Sequence, residues 1–510
     1  MRLKEALRHC PVVALSLLAL TSVADAQTYP GTGAANAGTG AATGNAGTER
    51  LFYGVDAGLG ETDNVTLAHT NKMSETIATV DADVDVRHRS SRLDVDAKGN
   101  FKDFDYLQGT YGNQLLGRFD GVAHLALIPQ RLTWVLSDDF GQAALDPFAP
   151  TTPGNFEDVN YVSTGPDLAL RVGGTGFVDA SLRMARANFQ TSPFNSSRVL
   201  GTLAAGLQLS ARSSVSLNGA AERVLFDNTR VNGDFDRTSG YARYEIQGAR
   251  TDLSVELGAT KISQDASSGT STIVLEPNGL PITVPVTIPQ NAYSTTGPLA
   301  RIVVTRKLSS AASLILTGGR DLTDGISSFA SIQSGAIGVV DTVPALLTSS
   351  SYTSDFGSIL WRYKRNRTTI GVSGNWEKDV YKSQPQFDST RGGGEINVER
   401  KLSRAFALQV FGRYTKNNYP NLTPVFVTLG SPKYDDAVVS AILSWRYGRA
   451  LEVRLRAEHS SRTTVGGIDE GYRENRVFLT VGYRPRDEQL DENSLPIDSE
   501  RAMDNPAIAR

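Results

Sequence analysis

Cysteine is almost missing from this sequence. Its 510 residues hold one, Cys10, which lies ahead of a short apolar core, Val12 to Leu20. A lipid-anchored chain carries its cysteine just after such a core, so anchoring of that kind is not expected. Beyond the leader no thiol is left, which excludes disulfides and thiolate chemistry. Long hydrophobic runs are missing too. No stretch approaches the ~20 apolar residues that a membrane helix needs. Histidine is scarce, with four after the leader (His69, His88, His124, His459) and none in an HxH or HExxH spacing, so no histidine metal site is expected. Net charge is only -3, and without a basic field no nucleic-acid partner is expected. No G-x-S-x-G elbow occurs, and "RGGGE" (391–395) lacks the Lys-Ser/Thr of a phosphate loop. The expectation is a protein that is not an enzyme, with no catalytic residue, no metal and no cofactor.

What is present starts with an export signal. MRLKEALRH is basic, the apolar core follows, and Ala24-Asp25-Ala26 forms a small-x-small cleavage site. Residues 1–26 therefore read as a signal peptide. Residues 27–48, rich in Gly, Ala, Thr and Asn, read as a flexible linker. From residue 49 to about 485 the texture changes to alternation with period 2. Residues 486–510 form a charged tail, expected to be loose and periplasmic.

The stretch TVDADVDVRHRSSRLDVDAKGNFK (79–102) shows the alternation at its clearest. Ala78, Val80, Ala82, Val84 and Val86 share one face, and Asp81, Asp83, Asp85 and Arg87 the other. After Ser90-Ser91 the pattern resumes, with Leu93, Val95 and Ala97 opposing Arg92, Asp94, Asp96 and Lys98. A hairpin about Ser90-Ser91 whose paired numbers sum to 181 sets Arg87 against Asp94 and Asp83 against Lys98. It leaves one like-charge mismatch, Asp85 against Asp96. Overlapping the end of this stretch, DVDAKGNFKDFD (94–105) resembles a calcium loop, but Lys98 stands where a ligand belongs. The hairpin explains every residue, and calcium is not expected.

The same unit recurs: strand, short turn, strand, longer polar loop. Short turns fall at 128–131, 173–176, 211–214, 248–251, 364–367 and 447–450. Long connections fall at 61–75, 142–158, 227–237, 263–291, 322–351 and 416–434. Trp361/Tyr363 and Trp445/Tyr447 share one face just before short turns, as an aromatic girdle requires. The loop 272–288 reads as a hairpin about "EPNG". The last strand, RVFLTVGYRPR, ends on Tyr483, an internal signal for the barrel-assembly machinery. These features predict an all-β protein: a transmembrane antiparallel up-and-down β-barrel of about 20 strands, within 18 to 22. It has short periplasmic turns and long extracellular loops, and its place is the outer membrane of a Gram-negative cell, in contact with outer-membrane lipid. A propeller would show a blade repeat, which is absent.

With Val and Ala toward lipid, the polar faces line the lumen. The candidate pore-lining residues are Asp81, Asp83, Asp85, Arg87, Arg92, Asp94, Asp96 and Lys98, with Arg118, Asp120, Arg243, Glu245, Glu395, Glu452, Arg454 and Arg456. Glu377, Arg391, Glu399, Glu458 and Arg476 belong with them. Both signs occur, so neither cation nor anion selectivity follows.

The opening of the barrel, LFYGVDAGLGETDNVTLA (51–68), has a first strand with Gly and aromatics ending at Asp63-Asn64, and hairpins with Arg-rich short turns follow. In this it resembles the beta-barrel porin 2 family over residues 49–485. The resemblance implies an outer-membrane conduit for export of an extracellular polysaccharide, working beside a periplasmic polysaccharide-export protein. The residues alone leave two alternatives. One is a general or solute-specific diffusion porin, with a loop folded into the lumen and a polar solute as cargo. The other is a plugged structural or adhesive barrel.

Overall fold

The structure is a computed structural model. It describes residues 48–485 except 146–147, 151, 230–231, 268–269, 276–281, 288–290, 328–349, 423–431 and 466–470. The signal peptide, the linker before Thr48, the charged tail and the EPNG turn lie outside the described residues.

The first strands are β1 (Thr48–Thr62), β2 (Glu75–Arg89), β3 (Leu93–Tyr106), β4 (Gln114–Ile128), β5 (Leu132–Ala144), β6 (Phe156–Val172) and β7 (Gly176–Phe189). Next come β8 (Ser196–Ser210), β9 (Ser213–Phe226), β10 (Phe235–Gln247), β11 (Thr251–Gln264), β12 (Thr270–Leu275), β13 (Ile282–Thr287), β14 (Tyr293–Lys307) and β15 (Ala312–Asp324). The chain ends with β16 (Ser351–Arg365), β17 (Thr368–Tyr381), β18 (Ser389–Lys401), β19 (Phe406–Asn418), β20 (Lys433–Tyr447), β21 (Leu451–Val465) and β22 (Tyr472–Tyr483). Twenty of these form one antiparallel sheet in which each strand pairs with the next in sequence. β1 pairs with β22 and closes the barrel, so no edge is left open at the seam. β12 and β13 pair only with each other, as the hairpin expected in the loop between β11 and β14.

The period-2 alternation decides which side is wet. Arg198 of β8 reaches Asp324 at the far end of β15, five places round the wall, so its side chain points inward. The ladder registers carry this assignment from strand to strand. On β8 the outward residues are then Val199, Leu203, Leu207 and Leu209, all about half exposed. Val477, Leu479 and Val481 do the same on β22. A continuous apolar band of this kind, on a wall whose other face is charged, is stable only against lipid.

The hairpin of β2 and β3 departs from the expected register. Paired numbers sum to 183, not 181: Arg87 faces Asp96, Asp85 faces Lys98 and Asp81 faces Lys102. The cause is the turn. Ser90 N–H donates to the Leu93 carbonyl at 2.8 Å, leaving Ser91 and Arg92 as its central pair. A shift of two keeps every side chain on its face and removes the Asp85–Asp96 mismatch. Residues 94–105 are extended strand throughout, not a metal-binding loop.

The seam relies on a close approach. A Cβ built on inward-facing Gly60 of β1 would lie 2.2 Å from the Phe478 ring of β22. That ring cannot retreat, because it is packed with Val65, Ile77, Phe104, Tyr106 and Leu116. Gly60→Val is therefore expected to destabilise the barrel by about 1–3 kcal/mol through overpacking. The measurement is the temperature at which the folded band of heat-modifiable gel mobility is lost; an unchanged temperature would show that the seam does not depend on this contact. Just above, the Thr62 hydroxyl donates to Glu474 at 2.6 Å, and Asn475 donates its backbone and side-chain amides to Asp63 at 2.8 and 2.6 Å. Burial acts to raise the Asp63 carboxyl, but those amides and the Lys72 charge win and hold it below its ordinary value.

Candidate functional site

The inward face of the wall is polar along most of its length, and side chains and loops gather at its outer mouth. Aromatic residues occupy the inward face near the outer ends of the strands. Two clusters form there. Ala143, Val159, Ala187, Phe189, Val224, Phe226, Phe235 and Ile262 make an apolar inner lining over β5 to β11. On the opposite arc Tyr352, Tyr381, Phe387, Tyr419 and Tyr434 make a second.

Each cluster is capped by a further segment: the tyrosine cluster by a loop from the opposite wall, the apolar lining by the tip of β15, two strands from β11. The connection between β5 and β6 sends Phe148 across the mouth into the tyrosine cluster, where it is 2% exposed. Its ring meets Tyr419 edge-on at 4.8 Å between centroids. Arg462 of β21 lies over the Tyr434 ring at 4.2 Å, pairs with Asp436 at 2.7 Å and donates to the Phe148 carbonyl at 3.5 Å.

The second contact comes from β15. β14 and β15 are paired only from Ala300–Arg320 down to Lys307–Ser313. Above Arg320, β15 leaves β14 while keeping its pairing with β16, and its tip curls over the inner wall. Leu322 and Ile326 join the apolar lining. Asp324 receives Arg198 at 2.6 Å, and Ser327 accepts from Arg198 at 2.9 Å. Glu222 takes the remaining charge, from Arg237 at 2.8 Å and Arg198 at 3.4 Å. Arg198 and Asp324 are both about 1% exposed, so this is a dry ion pair that ties tip to wall.

Beneath the tip a cavity of about 150 Å³ opens on the inner wall. Three carboxylates (Glu222, Glu256, Asp321), two guanidiniums (Arg237, Arg301) and Tyr241 line it, with Leu200 and Leu299 as apolar patches. Elsewhere the inward face carries matched pairs, Arg391 with Glu377 at 2.9 Å, Arg476 with Glu458 at 2.5 Å and Arg183 with Asp167 at 2.7 Å, and one like-charge pair, Asp120 opposite Asp139.

The sequence-predicted lining residues fall on this inward face, with one exception. Asp81 and Asp83 meet Asp56 of β1, and the Asn100 amide donates to both, at 2.7 and 2.5 Å. Arg454 reaches Asp56 at 2.9 Å, and Arg484 bridges Asp56 and Asp83. Two arginines already neutralise this acid group, which makes it a structural knot. The Asp56 carboxylate lies where a side chain on Gly482 would stand. Asp85, Arg87 and Asp96 form a loose group, with Arg87 at 3.4 and 3.6 Å. Asp94 lies 3.7 Å from Arg89. Lys98 lies opposite Asp85 and Asp120, and Arg118 opposite Asn100. Arg243 pairs with Glu256 at 2.6 Å and approaches Glu245 at 3.7 Å. Glu395 holds Arg413, Glu452 approaches Arg446, and Arg456 holds Glu458. The exception is Arg92. It sits in the turn between β2 and β3, exposed, because the two-residue shift in register took it off the wall.

Sequence reasoning missed Asp56, Phe148 and the inward aromatics. The signal was there in part: Phe104, Tyr106, Phe189, Phe226, Tyr352, Tyr381 and Tyr434 all interrupt a polar face at its loop end.

No family model matches the chain, and no curated protein matches it. Solved structures align over most of it. One is the FrpB iron transporter from Neisseria meningitidis, at 9% identity over 85% of this chain and 82% of that one, TM-score 0.42. Another is the copper transporter OprC, at 11% identity over 85% and 81%, TM-score 0.41. The siderophore receptor PirA from Pseudomonas aeruginosa aligns at 12% identity over 86% and 80%, TM-score 0.38. The protein is a transmembrane β-barrel of the outer membrane. The expectation of a polysaccharide-export conduit is corrected. A hydrated polymer needs an open lumen, and here the loop between β5 and β6 crosses the mouth to the opposite wall while the β15 tip folds over the lining. The polysaccharide-export partner expected in the periplasm goes with that reading.

Proposed function

We propose that this protein is a constricted, solute-specific outer-membrane channel for small polar solutes. The observation that carries the reading is Phe148, which starts on one wall and is buried in the wall opposite. A loop so placed sets the size limit of the pore. The charged cavity below supplies the selective surface. With carboxylates and guanidiniums side by side, it suits a solute that carries both donors and acceptors, or both charges, and it gives little preference for bare cations or anions.

The test uses the mature chain refolded into planar bilayers. Expected are small unitary steps with weak cation/anion preference, reduced by a small zwitterion such as an amino acid and indifferent to neutral polymers. Large steps blocked by polymer would overturn the reading. So would the absence of any current together with no solute uptake into proteoliposomes, which would leave a plugged structural barrel.

A further inference from the structure

The short turns carry a pattern that the channel reading does not use. Nine of them join the strands at the end of the barrel that holds Thr48 and Tyr483. Seven contain an arginine: Arg92, Arg131, Arg212 and Arg250 in the first half of the barrel, then Arg367, Arg404 and Arg449 in the second. None of the nine contains an aspartate or a glutamate. All seven arginines are exposed, and among the described residues none has a carboxylate partner. Charges that serve only solubility are normally mixed in sign, and the outer loops are mixed. A closed ring of one sign at one end is a field with a direction.

A second observation fixes the level of this ring in the membrane. Outward-facing aromatics lie within a few residues of the same turns: Trp134 on β5, Trp361 and Tyr363 on β16, Phe406 on β19, Trp445 and Tyr447 on β20. They form a belt through stacked contacts, Trp361 with Tyr363 at 5.9 Å and Phe406 with Trp445 at 6.2 Å. Trp and Tyr settle where the hydrocarbon ends and the headgroups begin. The turn arginines lie just beyond them, at the depth of lipid phosphates. Guanidinium is the side chain best matched to a phosphodiester, through paired N–H donors.

We propose that the ring of turn arginines binds the phosphates of anionic phospholipids in the periplasmic leaflet, and so gathers a collar of them around the barrel. The attraction is electrostatic and falls off within a Debye length, so it is lost in high salt.

The experiment uses the full mature barrel in phosphatidylethanolamine vesicles. A small, fixed fraction of the lipid is brominated on its acyl chains, either as phosphatidylglycerol or as phosphatidylethanolamine. All four tryptophans report which lipid is near: Trp134, Trp361 and Trp445 beside the turns, and Trp376 farther along β17. The expected result is stronger quenching by brominated phosphatidylglycerol than by its zwitterionic counterpart, an excess that fades in high salt. Replacing the seven arginines by glutamine is expected to abolish the excess and leave heat-modifiable folding and conductance as they were. Equal quenching by the two lipids in the wild-type protein would overturn the proposal, whatever the variant does, and would turn attention to an acidic protein partner. The result does not depend on the solute that crosses the lumen.

Discussion

Arg198→Met is expected to release the β15 tip from the inner wall and to enlarge the pore. Asp324 and Glu222 share this guanidinium, and the site is dry. Arg237 still covers Glu222 at 2.8 Å, while Asp324 loses the guanidinium that lies closest to it and keeps Ser327, at 2.5 Å. Removing one partner of a buried pair strands the other charge, and the usual cost is about 3–5 kcal/mol. The barrel need not bear this cost as a whole. Twenty strands in a closed ladder are far harder to open than a tip that has already left β14 above Arg320. The tip moves and the carboxylate regains water. Unitary current should rise and become noisier, with the folded gel band retained. The double variant Arg198→Met/Asp324→Leu strands no charge and keeps the apolar contacts of Leu322 and Ile326. It is expected to restore the small, quiet current, so that the two changes are strongly non-additive. A double variant as open as the single one would show that the ion pair does not hold the tip.

The fold was legible because a barrel wall is written in its simplest period. Val80, Ala82, Val84 and Val86 against Asp81, Asp83, Asp85 and Arg87 leaves no choice of face, and a one-residue slip would put four charges into lipid. A two-residue slip costs nothing on that count. This is why the faces were right while the register was wrong by two and Arg92 was assigned to the wall. The turn decided the matter, through the Ser90–Leu93 hydrogen bond, and nothing in "RSSR" marks which pair is central. Which charged residues point inward was readable for the same reason as the faces. What closes the lumen was not. Arg198 and Asp324 are 126 residues apart, and Phe148 meets Tyr352, Tyr381 and Tyr434 only because the ladder brings opposite arcs face to face. Such contacts depend on the diameter of the closed barrel and the curl of β15, which no local pattern encodes. The polar lumen alone suggested an open, hydrated conduit. The aromatics at the outer ends of the inward faces argued the other way, since a wet wall has no use for Tyr352 or Tyr381 at 1% exposure.

Phe148→Ala tests the other half of the closure, and its effect should be the clearest on solute size. The loop has two kinds of anchor. At its base Leu145 N–H donates to the Asn155 carbonyl at 3.1 Å, the Asn155 side chain donates to Pro150 at 3.2 Å, and Gln114 donates to Pro153 at 3.0 Å. These hold it to its own wall. Across the mouth, the described contacts include the Phe148 ring among the tyrosines and a long hydrogen bond from Arg462 to its carbonyl. A buried Phe cut to Ala typically forfeits about 3–5 kcal/mol, more than one long hydrogen bond returns. The far anchor should therefore let go while the near ones stay. Barrel stability should be nearly unchanged, because the strand-to-strand ladder is untouched. Conductance should rise, and liposome-swelling assays should admit larger sugars than the wild-type protein does. Tyr419→Ala removes the edge-on partner from the other wall and should give the same phenotype. The pair together should add little, since each breaks the same contact. A folded Phe148→Ala barrel with wild-type current and the same size limit would mean that this loop is not the constriction, and the size limit would then belong to the β15 tip alone.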